Sequence, residues 1–197
     1  MTGKIIIISG YVATGKTTFS GQLSEKLNIL CFNKDIIKAV LGKNIDINSR
    51  ETSSQLSVTT FNLLMHITEI FMRQGKPLIV ESNFKVSEGK VIRDLLKLYK
   101  YRSLTFLMTG DLRIIHKRFV ERDNKPERDK ANRSNGLFDE YEFFEKAVKP
   151  LGDFNVGDKI VRIDASDFAQ VNFQQYIEKA EMFMNQSRGC FNSTNGG

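Results

Sequence analysis

Four consecutive isoleucines, Ile5-Ile6-Ile7-Ile8, open the chain's pattern with an unbroken apolar run. Such a run reads as a strand buried on both faces. A mostly small and polar stretch, broken by Tyr11 and Val12, follows from Ser9 to Thr18, and then Phe19, Leu23 and Leu27 recur at helical spacing. The same alternation repeats along the chain. Ile29 to Phe32 is a second short apolar run, and Ile36, Ile37, Val40 and Leu41 mark a short helix closed by Gly42. Lys43 to Arg50 is polar and reads as a loop. From Glu51 or Thr52, Leu56, Thr60, Leu63, Leu64, Ile67 and Phe71 trace a long amphipathic helix that Gly75 and Pro77 end. Leu78 to Glu81 is a third strand, and Ser87 is placed to cap a helix carrying Val91, Leu95, Leu96 and Leu98. Leu104 to Met108 is a fourth strand, with Asp111 as N-cap of a helix from Leu112 to Glu121. Phe138 to Val148 reads as a helix, Lys159 to Ile163 as a fifth strand, and Phe168 to Met184 as a last helix capped by Ser166 or Asp167.

Continuous apolar strands alternating with helices specify an α/β fold, a parallel sheet covered by helices on both faces. A length of 197 residues allows one domain with a substantial core. No repeat or linker divides the chain, so residues 1–185 read as a single domain. Residues 186–197 are rich in Ser, Asn and Gly and are expected to be a disordered tail. Cys31 and Cys190 match no metal-ligand spacing; Cys31, in an apolar run, is expected in the core. A reducing cytoplasmic setting and no membrane span are the corresponding expectations. The net charge of +6 suits an anionic ligand, but lysines are scattered throughout, so charge alone does not imply nucleic acid.

In a parallel sheet, ligands bind at the carboxyl ends of the strands. After the first strand, Gly10, Gly15, Lys16 and Thr17 fit the pattern G-x-x-x-x-G-K-[ST] in its required context of strand, loop and helix. Backbone amides from Gly10 through Ala13, Thr14, Gly15, Lys16, Thr17 and Thr18 would cradle phosphates beside a helix N-terminus. Lys16 would reach the β- and γ-phosphates, and Thr17 would bind Mg²⁺. Asp35, with Lys38 a turn later, follows the second strand. Asp35 reads either as the carboxylate that orients or deprotonates an acceptor hydroxyl or as a helix N-cap. Glu81 and then Asn83 close the third strand. Glu81 is at the Walker-B position for the Mg²⁺ shell, and Asn83 could contact substrate or only make a turn. Asp111 and Asp164 end the fourth and fifth strands.

Arg118 and Arg122 share a helix face, and Arg128 and Arg133 follow in a charged, apolar-poor stretch. Residues 112–137 therefore read as a mobile helical lid whose arginines could close over a phosphoryl group in transfer. The alternative is a solvated face, given the interleaved acids. His66 and His116 lie within helices with no metal partner and read as structural.

These residues resemble the small P-loop kinases, in particular the group of the polynucleotide 5′-kinase domain, zeta-toxin-like kinases and chloramphenicol phosphotransferase, proteins often described as AAA-family ATP-binding proteins. The resemblance spans residues 4–184. It rests on the Walker A stretch Gly10–Thr17, on Phe32-Asn33-Lys34-Asp35-Ile36-Ile37-Lys38, on Ile79-Val80-Glu81-Ser82-Asn83-Phe84, and on Arg118 with Arg122. It departs from the family at Lys38, where arginine is usual, and at Glu81, where aspartate is commoner. It implies a three-layer α-β-α P-loop NTPase fold with sheet order 2-3-1-4-5, ATP and Mg²⁺ as donor, and catalytic roles for Lys16, Asp35, Arg118 and Arg122. Lys38, Asn83 and Arg128 are then substrate-side candidates.

A regulatory GTPase would need D-x-x-G, which occurs nowhere in the chain, and the mechanical ATPase signatures are also missing. Three readings stay open. The first is a kinase for a hydroxyl on a small molecule. The second is a kinase for nucleic-acid 5′ ends or sugar nucleotides. The third is a non-catalytic nucleotide-binding module. An apolar pocket from Asn44 to Phe61 would favour the first, and a basic channel with exposed aromatics near Asp35 the second. A monomer or homodimer is expected.

Overall fold

The computed structural model describes residues 3–186. Its five strands are β1 (Lys4–Gly10), β2 (Cys31–Asn33), β3 (Leu78–Glu81), β4 (Arg102–Thr109) and β5 (Lys159–Asp164), all parallel in the order β2-β3-β1-β4-β5. This is the expected three-layer α/β architecture. Every strand is followed by a helical connection, which keeps all the carboxyl ends on one edge. The helices are α1 (Lys16–Leu27), α2 (Lys34–Gly42), α3 (Arg50–Arg73), α4 (Gly89–Leu98), α5 (Leu112–Asp123), α6 (Tyr141–Val148) and α7 (Phe173–Asn185).

The isoleucine run is apolar throughout because β1 is the central strand. Ile5 and Ile7 face a core built with α3 and α4, including Leu64, Met72, Ile92 and Leu96. Ile6 and Ile8 face the opposite core, built with α1 and α7 and including Phe19, Leu23, Ile177 and Phe183. Side chains alternate across a strand, so two cores require apolar residues at consecutive positions. A third cluster sits above the carboxyl edge. There Ile115 and Phe119 of α5 pack on Phe144 and Val148 of α6 and on Ala13 of the first loop. That cluster holds α5 over the β1–α1 connection.

Local chemistry moves several boundaries. Ser49, not a later residue, caps α3 by accepting from the Thr52 amide at 3.1 Å. Ser87 caps nothing; it lies inside a 3-10 turn, Val86–Glu88, and α4 begins at Gly89. The segment around Phe138 is not helical until Tyr141. The last helix starts at Phe173 under an Asn172 cap, so Asp167 caps only a 3-10 turn, Phe168–Gln170. Asp111 caps α5 as expected, accepting from the Arg113 and Ile114 amides at 2.9 and 3.0 Å. Gln186 is fixed, its carbonyl accepting from Lys4 Nζ at 2.8 Å. The rest of the expected tail, with Cys190, lies outside the described residues. Burial pushes the Cys31 thiol up to about 11, as befits a packing residue.

Candidate active site

The loop between β1 and α1 is shaped by its glycines. Gly10 has φ +118°, and a Cβ there would stand 2.0 Å from the Met108 carbonyl, which accepts from the Tyr11 amide at 2.8 Å. The chain can leave the central strand this closely only without a side chain. Ala13 (φ 53°) and Gly15 (φ 81°) also take left-handed backbone conformations, turning successive amides toward one concavity ahead of α1.

Lys16 begins α1 and is only 6% exposed. Its Nζ donates to the Tyr11 carbonyl and stands 3.5 Å from Thr14 Oγ1. Burial lowers its pKa to about 8, against the opposing pull of the Glu81 and Asp35 carboxylates. Glu81, at the end of β3, is 4% exposed. Burial raises its pKa, and the Lys16 ammonium works against the rise.

Asn33, at the end of β2, joins these elements. Its Oδ1 accepts from the Ile36 amide at 3.0 Å and so caps α2. Its Nδ2 donates to Glu81 Oε2 and lies 3.3 Å from Thr17 Oγ1. Ser20 Oγ adds a donor to the same Glu81 oxygen at 3.3 Å. The N-cap reading of Asp35 is thereby corrected. Asn33 supplies the cap, and the Asp35 side chain, one step into the helix, is left facing the cavity.

Two cavities open along the carboxyl edge. One, of about 470 Å³, follows the loop from Val12 to Thr18 and reaches Glu81, Arg118 and Phe168. The other, of about 860 Å³, lies between α2, the start of α3 and the segment after α5. Val12, Asp35, Asn83, Arg122 and Arg128 line both and form their common wall. Arg122 Nε is buried without a hydrogen-bond partner among the described residues, and burial lowers the pKa of its guanidinium. A guanidinium at such a junction whose buried Nε has no partner among the described residues is suited to an oxyanion.

The other candidates fall into place around this wall. Arg118 is tied to the carbonyls of Ala165 and Ser166, and its guanidinium lies 4.0 Å from the Phe168 ring centroid. Arg128 bonds the Asn132 carbonyl at 3.0 Å and stands 3.9 Å from Asp123. Lys38 reaches Ser53 Oγ at 3.4 Å, in the larger cavity. Arg133 lines the larger cavity but donates to the carbonyls of Arg128, Lys125 and Pro126. Asp164 is exposed and held by Ser166, which keeps its carboxyl below the usual range, and Asp111 is occupied by its cap. Neither belongs to the site. His116 bonds the Phe138 carbonyl at 2.9 Å and packs on Phe144, a structural role as expected.

Sequence reading missed Asn33 and Phe168. Asn33 had a usable signal, a strand-end position facing the phosphate loop. Phe168 has none, because its spacing places it on the buried stripe of a helix that begins five residues later, whereas it is 43% exposed.

The residues present fit a Mg²⁺–nucleotide. No cluster of three or more His, Cys, Asp or Glu side chains suited to a metal exists among the described residues. Mg²⁺ in phosphoryl-transfer sites needs only one or two protein oxygens, the rest coming from water and phosphates. Thr17 Oγ1 and the buried Glu81 carboxylate, joined by Asn33, provide such a pair.

The model of the AAA domain family matches residues 5–141. No curated protein matches the sequence. Among solved structures, a candidate kinase from Chloroflexus aurantiacus j-10-fl superposes with a TM-score of 0.78 at 22% identity, covering 93% of this chain and 96% of its own. The tunicamycin resistance protein of Deinococcus radiodurans superposes with a TM-score of 0.60 at 19% identity, over 94% and 97%. Shikimate kinase from Bacteroides thetaiotaomicron superposes with a TM-score of 0.53 at 11% identity, over 93% and 99%. At these identities the likeness establishes the fold, that of the small P-loop kinases.

Proposed function

From the premise that the chain belongs to the AAA domain family, we propose that it is an ATP-dependent kinase transferring the γ-phosphoryl group to a hydroxyl of a small-molecule acceptor. The observation that carries this reading is the shared wall. A phosphate-loop cavity and a second, larger cavity meet at Asp35 and Arg122. A nucleotide-binding switch needs only the first cavity, whereas a transferase needs a donor and an acceptor space in line.

In this reading Lys16 and the loop amides hold the phosphates. Thr17 and Glu81 would hold Mg²⁺, which would neutralise charge on the nucleotide phosphates. Asn33 keeps the Glu81 carboxylate turned toward Thr17. Asp35 accepts the proton of the acceptor hydroxyl. Arg122, with its unmatched Nε, stabilises charge on the phosphoryl group in transfer, and Arg128 supports it from the acceptor side. Arg118 with Phe168 walls the donor cavity beyond the loop. The segment after α5 closes over both spaces and excludes water. Kinases among the structural neighbours support phosphoryl transfer as the reaction class.

For the nucleic-acid reading, the one exposed aromatic among the described residues of the donor cavity, Phe168, lies against Arg118, and the aromatics of the larger cavity are packed. Phe119 and Phe138 line the larger cavity but belong to the α5–α6 hydrophobic cluster.

Asp35→Asn tests the proposal. It should leave ATP affinity within about threefold and reduce phosphoryl transfer by on the order of 10²-fold or more, the usual contribution of a positioned base. Transfer at the wild-type rate would remove Asp35 from the chemistry.

A further inference from the structure

The expectation of an apolar pocket between Asn44 and Phe61 fails. Apart from Ile47, what this stretch presents to the larger cavity is polar, chiefly serines. The opposite wall is more informative. It comes from the segment after α5, and two contacts join it to α2 at a single 3-10 turn, Lys130–Asn132.

The first contact is apolar. Ala131 is 2% exposed, in a segment otherwise almost without apolar residues. It is seated against Gly42 at the end of α2. A side chain at Gly42 would place its Cβ 2.6 Å from Ala131 Cβ and 3.2 Å from Ile47 Cδ1. Helix and turn interlock there only because position 42 carries no side chain. The second contact is polar. Asn132 Nδ2 donates to the main-chain carbonyl of Asp35 at 2.9 Å, across 97 positions of sequence.

Asn132 is tied on its other side as well. Its carbonyl accepts from Arg128 at 3.0 Å, and Arg128 belongs to the wall that the two cavities share. The turn is held in shape from within. Asp129 accepts from the Ala131 amide at 2.8 Å, and Arg133 donates to the Arg128 carbonyl at 3.1 Å. One residue therefore holds a guanidinium of the donor cavity on its main chain and the candidate base on its side chain. A lid that only excluded water would need no bond to the first turn of α2. The bond made is to the backbone of Asp35 itself. On the donor side, Asn33 caps the same helix and reaches Thr17 and Glu81 with its amide. The start of α2 is thus gripped from the phosphate loop and from the segment after α5.

We infer that Asn132 is a positioning residue: it makes α2 and the segment after α5 move as one body, so that a nucleotide drawing Arg122 and Arg128 onto its phosphates also sets the Asp35 carboxylate for the acceptor hydroxyl. The inference rests on the kinase reading for the task of Asp35, not for the link itself. Closure over the donor phosphates and placement of the base become a single step. Nucleotide then prepares the acceptor side before any acceptor arrives.

The test is amide hydrogen exchange on the full chain, with and without Mg²⁺ and a non-hydrolysable ATP analogue, and with no acceptor. Residues 38–42 of α2 line no part of the donor cavity, so slowing there on nucleotide binding is indirect. Nucleotide should slow exchange over residues 38–42 and over residues 124–137 together, each by roughly fivefold or more. Asn132→Leu keeps the bulk and loses the donor. It should cut the slowing over 38–42 to less than about twofold while the affinity for the analogue stays within about threefold. Asn132→Gln, which keeps an amide donor, should restore part of the slowing. Gly42→Ala disturbs the apolar half of the joint and should give the same loss as Asn132→Leu. A second readout separates positioning from support of the fold. ADP release from Mg-ATP, with water in place of the acceptor hydroxyl, should fall roughly tenfold in kcat for Asn132→Leu, with KM for ATP within about threefold. No slowing over 38–42 in the unaltered protein, equal slowing in Asn132→Leu, or an unchanged kcat in that variant would overturn the inference. Coupled slowing that depends on Asn132, without ADP formation from Mg-ATP in water or with simple alcohols, would instead overturn the kinase reading and leave the link standing.

Discussion

Lys16 shows how a single side chain carries both recognition and a pH dependence. Its ammonium is the form that binds phosphate, and burial lowers its pKa to about 8. Phosphate beside it favours the charged form, so binding must take up a proton when the free group is partly neutral. ATP binding measured by calorimetry in buffers of different ionisation enthalpy should therefore show uptake of about half a proton at pH 8. Beyond the protons exchanged by the nucleotide's own γ-phosphate, uptake should be near zero at pH 6, where Lys16 is already charged, and affinity should fall by up to about tenfold per unit above pH 8. Binding without proton exchange across this range would show that Lys16 is not the titrating ligand, and Lys16→Ala should abolish nucleotide binding outright. Asn33 makes a second case. Asn33→Ala loses a helix cap worth about 1 kcal/mol, or roughly 2–4 °C in melting temperature, and also releases Glu81 from Thr17. Asn33→Ser keeps a capping oxygen but has too short a reach for both partners. It should recover most of the melting temperature while the Mg²⁺ requirement for activity stays raised severalfold. Full recovery of both would reduce Asn33 to a cap. Asn33 illustrates the limits of sequence reading: Asp35 was legible as chemistry after a strand, but which of the two neighbours capped α2 depended on where β2 ended.

At the level of elements, the segment after α5 is the instructive one. Its lack of apolar residues predicted a lid, and its hydrogen bonds explain how a segment without a core can still hold a shape. Arg133 gathers three backbone carbonyls, Asp123 receives the Ser134 amide and hydroxyl at 2.9 and 2.7 Å, and Asn132 Nδ2 donates to the Asp35 carbonyl at 2.9 Å. The last bond docks the segment on α2 beside the candidate base. Polar staples of this kind exchange readily with water, so opening costs less than it would for an apolar interface. Hydrogen exchange over residues 124–137 should slow when an ATP analogue and a hydroxyl-bearing acceptor bind together. Arg133→Ala should raise exchange there in the free protein. Unchanged exchange on ligand binding would make this segment a fixed wall instead of a lid.

Across the whole molecule, the site is held together by packing at a distance from it. Phe144 on α6 is fully buried against His116, Phe119 and Phe138, with ring centroids 4.9, 5.4 and 6.4 Å away. That cluster includes Ala13 of the phosphate loop, so α5 and its arginines are registered to the loop through it. Phe144→Ala should cost about 3–5 kcal/mol of stability and weaken ATP binding as well, although the residue touches neither cavity. Loss of stability with intact affinity would show that the loop and α5 are positioned independently. The strands, the phosphate loop and the parallel sheet were determined by the sequence itself. They depend on local causes: runs of apolar residues, glycine where φ is positive, and helix periodicity over a few turns. Only the tertiary structure decided that Asn33 stands between Thr17 and Glu81, that Phe168 lies under Arg118, and that eight cations line one cavity together with Asp35. Those contacts join segments remote in sequence, and the charge of a cavity is a sum over walls that only folding brings together.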